Sequence, residues 1–349
     1  MNKKTVAVLF GGYSPEYEVS LKSAYSIISA VDRGKYDLVL LGITRQGKWF
    51  RYTGDVGNIP NDKWHTDERY LKEAMISPSR GEGILEFKDG IAVHVPTDVI
   101  FPVLHGKCGE DGTVQGLCEL AGIPVVGSGS ASSALCMDKD RSHKLVAHAG
   151  IRTPKSICFE YAPTDCEAIS AGKELGLPLF VKPVKAGSSF GITKVGSEPE
   201  LVEAVRTALA YDNAVIIEEC IDGFETGCSV VGNNELQTGR IDEIELAGGF
   251  FDYEEKYTLK TSKIHMPARI DEQTERRLQD TAKTIFRVLG CRGYARIDIF
   301  LTSNREIIFN EANTIPGFTS HSRFPNMMKG VGIEYPELVD MLIDLGCSG

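Results

Sequence analysis

The sequence predicts an α/β protein, with α+β character in places, on three observations. Residues 5–10 are β-branched and apolar, and a break at Gly11-Gly12 separates them from a helical pattern. That pattern repeats apolar residues at helical spacing, at Leu21, Tyr25, Ile28 and Val31. A second apolar run, Leu38–Thr44, follows, so strand, helix and strand succeed one another as in a parallel α/β domain. The chain has 349 residues, which at roughly 100 to 200 residues per domain indicates two or three domains.

The composition indicates a globular protein that binds small molecules. Hydrophobic residues make up 42% of the chain and charged residues 25%, which excludes a disordered polymer. The net charge is -10, and lysines and arginines form no long block. A nucleic-acid backbone or an anionic membrane is therefore a poor partner, and we expect small-molecule substrates, no nucleic acid and no membrane insertion.

The cysteines predict a cytoplasmic protein. There are nine of them, scattered without a Cys-x-x-Cys pair, which fits reduced thiols better than a disulfide framework. The apolar run Val6–Phe10 near the start ends at Gly11-Gly12, so it is too short for the core of a signal peptide. No stretch approaches the roughly 20 apolar residues that a membrane-spanning helix needs.

Polar residues on two neighbouring predicted strands indicate a divalent-metal site. Glu311 and Asn313 follow the apolar run Ile307–Phe309, and on an extended chain both side chains point to one face as oxygen ligands. Arg296 and Asp298 share one face of the preceding strand, and only a short link separates the two strands. One hairpin is then expected to gather Asp298, Glu311 and Asn313 around a metal, with Arg296 beside them. An ordinary exposed hairpin with an acidic rim is the alternative.

A second pattern predicts a phosphate-binding flap. Lys182 lies on an apolar strand, and the small-residue turn Lys185–Gly191 leads into another strand, Ile192–Val195. The amides and hydroxyls of Ser188 and Ser189 can close over phosphate oxygens, with Lys182 as a point charge. A plain β-hairpin turn is the alternative interpretation.

Two further glycine-containing segments lead to different conclusions. The loop His105–Gly112 joins the predicted strand Val99–Leu104 to the predicted helix Val114–Ala121, and its glycines let backbone amides approach a ligand. The segment Gly42–Lys48 imitates the spacing of a phosphate-binding P-loop, but Trp49 stands where that loop needs Ser or Thr. We therefore predict a hairpin turn at Arg45–Lys48, between two apolar strands, instead.

The chain resembles the D-alanine:D-alanine ligase family of ATP-grasp enzymes over its whole length. The resemblance is carried by Glu18-Val19-Ser20, Gly109–Gly116, Asp298, Glu311-Ala312-Asn313-Thr314, Pro316-Gly317 and Thr319-Ser320. It implies an ATP-grasp fold of three domains: an N-terminal α/β substrate-binding domain at 1–135, a central domain at 136–221 and a C-terminal domain at 222–349. It also implies ATP, two Mg²⁺ ions that Mn²⁺ can replace, and a homodimer.

The resemblance also assigns nucleotide and metal ligands. Nucleotide contacts are expected at Lys139, Lys182, Ser188, Ser189, Glu218, Glu219, Ile221, Glu225, Phe250 and Lys256. Asp298, Glu311 and Asn313 are the expected metal ligands. The aromatic segment 248–257 resembles the family's ω loop, a lid over the active site.

For the first substrate the resemblance implies a D-alanine whose ammonium binds Glu18 and whose pocket His105 lines. The expected catalytic residues are Glu18, Ser188, Tyr257, Arg296 and Gly317. Within that set, Arg296 and the Gly317 backbone face the developing oxyanion, and the other three form a hydrogen-bonded group that ties the lid to the substrate.

The second substrate is predicted from two features of the resemblance. Lys256-Tyr257 matches members that form peptide bonds, so an amine is expected as nucleophile and D-lactate is the least expected acceptor. Arg323 stands where members that use D-alanine carry an apolar residue, with Asp242 as its expected charge partner and as acceptor for a hydroxyl. This pattern resembles the D-serine branch found with inducible vancomycin resistance. Phe251 and Ser322 are expected to complete the acceptor site.

The prediction is thus an ATP-dependent ligase that joins D-alanine to D-serine through a D-alanyl phosphate, for peptidoglycan precursor synthesis. Three alternatives remain: a D-alanine:D-alanine ligase, with Arg323 pointing to solvent; a ligase for another amino acid; and a non-catalytic nucleotide-binding module. The loops that carry Glu18 and His105 speak against the second alternative. A lid, an oxyanion arginine and two metal carboxylates together speak against the third.

Overall fold

The computed structural model describes residues 3–246 and 262–348 and confirms a mixed α/β architecture. The strands of these residues form three sheets, of seven, four and five strands. The first sheet lies within the predicted range 1–135, the second within 136–221 and the third within 222–349. No helix in the described part of the chain is long and apolar enough to cross a membrane.

The first sheet has a parallel centre and an antiparallel extension. Its strands are β1 (Lys4–Gly11), β2 (Tyr36–Ile43), β3 (Trp49–Tyr52), β4 (Leu71–Ile76), β5 (Ile84–Lys88), β6 (Ile91–Val95) and β7 (Val99–Val103). They lie in the order β6-β5-β4-β3-β2-β1-β7, with β1 parallel to both β2 and β7. The predicted turn after β2 is confirmed, because β2 and β3 pair antiparallel.

Three helices accompany this sheet: α1 (Tyr17–Ala30), α2 (Thr113–Ala121) and α3 (Ser130–Met137). The loop between β1 and α1 leaves the carboxyl end of β1, and the loop before α2 leaves the carboxyl end of β7. Because β1 and β7 are adjacent and parallel, both loops reach the same edge of the sheet. This edge is one side of the site described below.

The second sheet is antiparallel, in the order β10-β9-β11-β8. Its strands are β8 (Ser156–Phe159), β9 (Leu179–Pro183), β10 (Thr193–Val195) and β11 (Val215–Glu219). The helices of this range are α4 (Lys139–His148), α5 (Asp165–Leu175) and α6 (Glu198–Leu209). Thr164 and Glu167 cap the start of α5 reciprocally, and small residues such as Ala168 and Ala204 let α5 and α6 pack closely on the sheet.

The third sheet is also antiparallel and carries the predicted metal hairpin. Its strands are β12 (Gly223–Gly232), β13 (Gln237–Leu246), β14 (Ser262–His265), β15 (Gly293–Thr302) and β16 (Ile307–Asn313), in the order β14-β13-β12-β15-β16. Helix α7 (Glu272–Val288) begins at an Asp271 cap and buries Leu278, Ala282 and Ile285 at helical spacing. This apolar stripe packs on the sheet and fixes the hairpin β15–β16 from behind.

Two more helices follow, α8 (Arg323–Lys329) and α9 (Tyr335–Cys347). Helix α9 buries Leu338 and Leu342 in the core of the first sheet, and Asp340 accepts a hydrogen bond of 2.8 Å from the Tyr36 hydroxyl. The end of the range 222–349 therefore packs against the N-terminal sheet. The two boundaries between the three predicted domains stay a prediction.

Candidate active site

The hairpin β15–β16 places the predicted metal residues next to one another. Asp298 pairs with Glu311 and Arg296 with Asn313 across the two strands. The Arg296 guanidinium donates two hydrogen bonds to the Asp298 carboxylate, at 2.8 and 2.7 Å, and the Asn313 amide donates a third at 3.0 Å. The local sequence produces this arrangement because residues two apart on a strand share a face.

Two cavities meet at this hairpin. Cavity A, of about 330 Å³, lies between the loops of the first sheet and the segment after β16, and its lining includes His105, Ser188, Arg296, Gly317, Ser322 and Arg323. Cavity B, of about 460 Å³, lies between the second and third sheets, and its lining includes Lys182, Ser189, Glu218, Glu219, Ile221 and Glu225. Lys139 and Glu311 line both cavities. A ligand in cavity B can therefore present one end to a ligand in cavity A.

The structure corrects the expectation for Glu18. Its side chain is 70% exposed and forms an ion pair of 2.7 Å with Arg45, and it does not line cavity A. Glu16 does line cavity A, is only 6% exposed and accepts a hydrogen bond from the Ser188 hydroxyl. Helix α1 begins at Tyr17, so Glu16 stays in the loop at the end of β1, while Glu18 lies in the first turn and faces solvent.

Glu110 is a cavity residue that the sequence analysis did not select. It lines cavity A, and its carboxylate accepts a hydrogen bond of 2.8 Å from the Gly106 amide. Burial and the neighbouring charge of Glu16 raise the pKa of Glu110 to about 8. The carboxylate of Glu16 beside it favours a cationic ligand group such as an ammonium, and such a cation would in turn favour the ionised form of Glu110. The position of Glu110 in the glycine-rich loop His105–Gly112 was the sequence signal that could have identified it.

His105 lines cavity A through a buried ring whose two nitrogens are both engaged. Nδ1 lies 3.0 Å from the Ile315 carbonyl oxygen and Nε2 lies 3.3 Å from the Ser23 hydroxyl. Burial lowers the pKa of His105 to about 4, so the ring is neutral at pH 7. His105 therefore fixes the segment that leads to Gly317 as well as lining the cavity.

A buried ionic group lies beside cavity B. Lys182 and Glu218 form an ion pair of 2.6 Å, and the Glu218 carboxylate also lies 3.6 Å from Nδ1 of His143. Burial raises the pKa of Glu218, but the charges of Lys182 and His143 outweigh it, so the net shift is downward and the carboxylate is ionised. His143 also donates from Nε2 to the Asn310 carbonyl at 2.7 Å. It thus connects α4, which carries Lys139, to β16, the strand of the predicted metal residues, a contact that no sequence motif indicated.

Arg323 points into cavity A rather than to solvent. Its side chain is 9% exposed, and Nε and Nη2 donate to the two oxygens of Asp242 at 2.7 and 2.8 Å. Nη1 lies 3.3 Å from Glu225, and Nη2 lies 3.7 Å from Asp298. The expected charge partner is therefore in place.

For Asp242 the expectation of a direct substrate contact needs correction. Asp242 is 1% exposed and does not line cavity A. Both of its oxygens bind Arg323, and one also accepts the Gly227 amide at 2.8 Å. The physical reason is that β13 lies behind Arg323, so Asp242 orients the guanidinium and leaves the cavity surface to it.

Four of the predicted residues, Phe250, Phe251, Lys256 and Tyr257, lie outside the described residues, as does the segment compared with the ω loop. They fall between the end of β13 and the start of β14. Their roles therefore stay predictions.

The oxygen donors of the hairpin fit a hard divalent cation. Glu311 and Asn313 line cavity A, and Glu311 also lines cavity B. Asp298 pairs with Glu311 across the strands but is 1% exposed and lines neither cavity, and its two oxygens accept hydrogen bonds from Arg296 and Asn313. Carboxylate and amide oxygens are the ligands that Mg²⁺ uses, usually together with phosphate oxygens.

Known proteins resemble this chain over almost its full length. A family profile described as D-ala D-ala ligase C-terminus matches residues 145–344, and one described as D-ala D-ala ligase N-terminus matches residues 5–128. The crystal structure of the VanG D-Ala:D-Ser ligase from Enterococcus faecalis shares 54% sequence identity and a TM-score of 0.91, and covers 99% of this chain and 100% of that chain.

Curated relatives give the same result. The vancomycin C-type resistance protein VanC1 of Enterococcus gallinarum is 44% identical over 343 residues, 98% of each chain. A D-alanine--D-alanine ligase of Caldicellulosiruptor bescii is 42% identical over 351 residues, 99% of this chain and 95% of that one. Since both family profiles and full-length relatives agree with the predicted fold, this chain has the ATP-grasp fold and belongs to the D-alanine:D-alanine ligase family of dipeptide-forming enzymes.

Proposed function

We propose that this protein joins D-alanine to D-serine at the expense of ATP, through a D-alanyl phosphate intermediate. The observation that carries the proposal is the buried pair Arg323–Asp242, which turns a guanidinium toward cavity A. Such a group offers hydrogen-bond donors to a hydroxyl and no apolar surface for a methyl group. The similarity to a structure named a D-Ala:D-Ser ligase supports the same acceptor.

In this proposal ATP occupies cavity B. Its adenine lies against the strand end that contains Glu218, Glu219 and Ile221, and its ribose lies against Glu225. The phosphates extend toward the lysines and serines that line the two cavities, Lys139, Lys182, Ser188 and Ser189. Mg²⁺, held by Asp298, Glu311 and Asn313, would neutralise phosphate oxygens and act as a Lewis acid.

The first D-alanine occupies cavity A with its ammonium at Glu16 and Glu110, which take the place expected for Glu18. Its carboxylate then faces the junction of the cavities near Lys139 and Glu311. A carboxylate oxygen attacks the γ-phosphorus of ATP, the bond to the bridging oxygen breaks, and ADP leaves. The product is an acyl phosphate, which is a far better electrophile than a carboxylate.

In the second step the amine of D-serine attacks the acyl carbon. Arg296 and the backbone amide of Gly317 stabilise the oxyanion of the tetrahedral intermediate, and each such donor is worth about 2.7 to 4 kcal/mol in comparable sites. The C–O bond to phosphate then breaks, inorganic phosphate leaves, and the attacking nitrogen gives up its extra proton to solvent. Arg323 donates a hydrogen bond to the hydroxyl oxygen of the acceptor D-serine.

The second candidate is a D-alanine:D-alanine ligase, which is the name of several relatives at 42% identity. Competition decides between them: D-alanine is supplied with equal D-serine and D-alanine as acceptors near pH 7, and the products are separated by mass. We expect D-alanyl-D-serine to dominate and Arg323→Leu to shift the ratio toward D-alanyl-D-alanine. A dominant D-alanyl-D-alanine product from the wild type, with an unchanged ratio for Arg323→Leu, would establish the second candidate.

The same proposal includes the physiological setting that the resemblance implied. A D-serine-ended peptidoglycan precursor fits the relatives named as vancomycin resistance proteins. We also propose that the protein is cytoplasmic and forms a homodimer. Sedimentation of the purified protein measures its oligomeric state directly.

A further inference from the structure

Arg323 lines cavity A and forms an ion pair with a residue that lines cavity B. Its guanidinium lines cavity A, where the proposed acceptor binds, and Nη1 lies 3.3 Å from Oε1 of Glu225, which lines cavity B. Both side chains are largely buried, with Arg323 9% and Glu225 19% exposed. One ion pair thus connects the proposed ribose site to the proposed acceptor site.

We propose that Glu225 couples the nucleotide to the choice of acceptor, so that a ribose bound at Glu225 frees Nη1 of Arg323 for the hydroxyl of D-serine. This inference rests on the function proposed above. It assigns to Glu225 a role in acceptor specificity, in addition to its expected contact with ATP.

The geometry separates the two ends of the guanidinium. Asp242 holds Nε and Nη2 with two bonds of 2.7 and 2.8 Å, which fixes the plane of the group. Nη1, at the other end, faces Glu225. Among the described residues these hydrogen bonds use three of the five N–H groups of Arg323.

The coupling follows from competition for one carboxylate. Ribose hydroxyls are donors, and a carboxylate that accepts two of them has less negative charge available for a neighbouring guanidinium. The pull of Glu225 on Nη1 therefore weakens when nucleotide binds, and the Nη1 donors, whose plane Asp242 fixes, can interact more strongly with the acceptor hydroxyl. By linkage, D-serine must strengthen nucleotide binding by the same factor.

The test compares ATP with 2′-deoxy-ATP and 3′-deoxy-ATP in the acceptor competition, using wild type and Glu225→Gln. For the wild type we expect the ratio of D-alanyl-D-serine to D-alanyl-D-alanine to fall by about fivefold or more with a deoxynucleotide. For Glu225→Gln we expect one ratio with all three nucleotides. Glu245→Gln is the matched control, because Glu245 lines cavity B but pairs with His265 and Arg269 instead of Arg323.

Calorimetry provides a readout that does not depend on turnover. A non-hydrolysable ATP analogue is titrated with D-alanine present, with and without D-serine, and D-serine should tighten its binding to the wild type but not to Glu225→Gln. If the wild type makes D-alanyl-D-serine in the same proportion with all three nucleotides, the coupling is wrong while the proposed function stands. If it makes mainly D-alanyl-D-alanine with ATP, the proposed function fails first.

Discussion

Asp298 and Glu311 stand directly opposite each other on β15 and β16, and a bulge in the pairing follows Asp298. Two carboxylates at directly opposite positions have Cβ atoms about 5 Å apart, and their repulsion is destabilising unless a nearby cation offsets it. Arg296 supplies one cation from the side of Asp298. Glu311 is left facing the junction of the two cavities, where the proposed phosphate and metal meet.

Replacing Glu311 with Gln is therefore expected to lower D-alanine-dependent ADP release on the order of 100-fold or more, because the proposed metal would lose an oxygen ligand and a negative charge. The circular dichroism spectrum should not change, since the side chain borders a cavity rather than the core. Activity within a few-fold of the wild type would remove Glu311 from the metal site.

Glu16→Gln and Glu18→Gln form a matched pair on either side of Tyr17. We expect Glu16→Gln to raise KM for the first D-alanine by about tenfold or more, because the variant loses a buried carboxylate at the proposed ammonium site. Glu18→Gln should stay close to wild type, since its partner Arg45 lies at the surface. The reverse order of effects would restore the expectation drawn from the sequence.

The stability of the protein without bound ligands is expected to depend on pH through Glu110. Its pKa is raised from 4.5 to about 8 in the folded state, so the folded chain binds a proton that the unfolded chain has released. This stabilisation is complete below pH 4.5 and is lost as the pH rises through about 8. Relative to Glu110→Gln, the thermal midpoint of the wild type should fall between pH 5 and 9. Parallel curves for the two proteins would contradict the raised pKa.

Gly227 is predicted to be required for the position of Arg323. A Cβ atom at this residue would lie 2.5 Å from Nη2 of Arg323 and 2.7 Å from Oδ1 of Asp242, so the ion pair must shift. We expect Gly227→Ala to lower the ratio of D-serine to D-alanine incorporation by roughly tenfold. Gly196→Ala is the control, because the nearest atom to its Cβ is a flexible Glu200 oxygen at 3.7 Å. Equal ratios in the two variants would count against the proposed role of Arg323.

The parts of the site that follow from local periodicity could be predicted from the sequence. The hairpin with Asp298, Glu311 and Asn313 is an example, because alternation along a strand fixes which side chains share a face. The sequence analysis selected Glu18 instead of Glu16 because the choice depends on the residue at which α1 begins. The start of a helix can be predicted only to within one or two residues.

Other parts depended on contacts between distant segments. His143 reaches Asn310 and Glu218 only after α4, β11 and β16 have assembled, and nothing in its neighbourhood along the chain marks it. The pair Arg323–Asp242 was predicted because an unusual charge at a family position required a partner. The position of Asp242 behind the guanidinium, rather than in the cavity, followed from the order of strands in the third sheet.

The packing of α9 on the first sheet has a consequence for synthesis on the ribosome. Strands β1, β2 and β7 are made early, but the apolar surface that receives Leu338, Val339 and Leu342 stays uncovered until residues 335–347 have left the exit tunnel. A nascent chain therefore carries an exposed hydrophobic face through most of its elongation, the kind of surface that is prone to aggregation and that chaperones protect. The core of the first sheet is therefore completed only after translation has passed the hairpin β15–β16, which ties the maturation of the first sheet to that of the third.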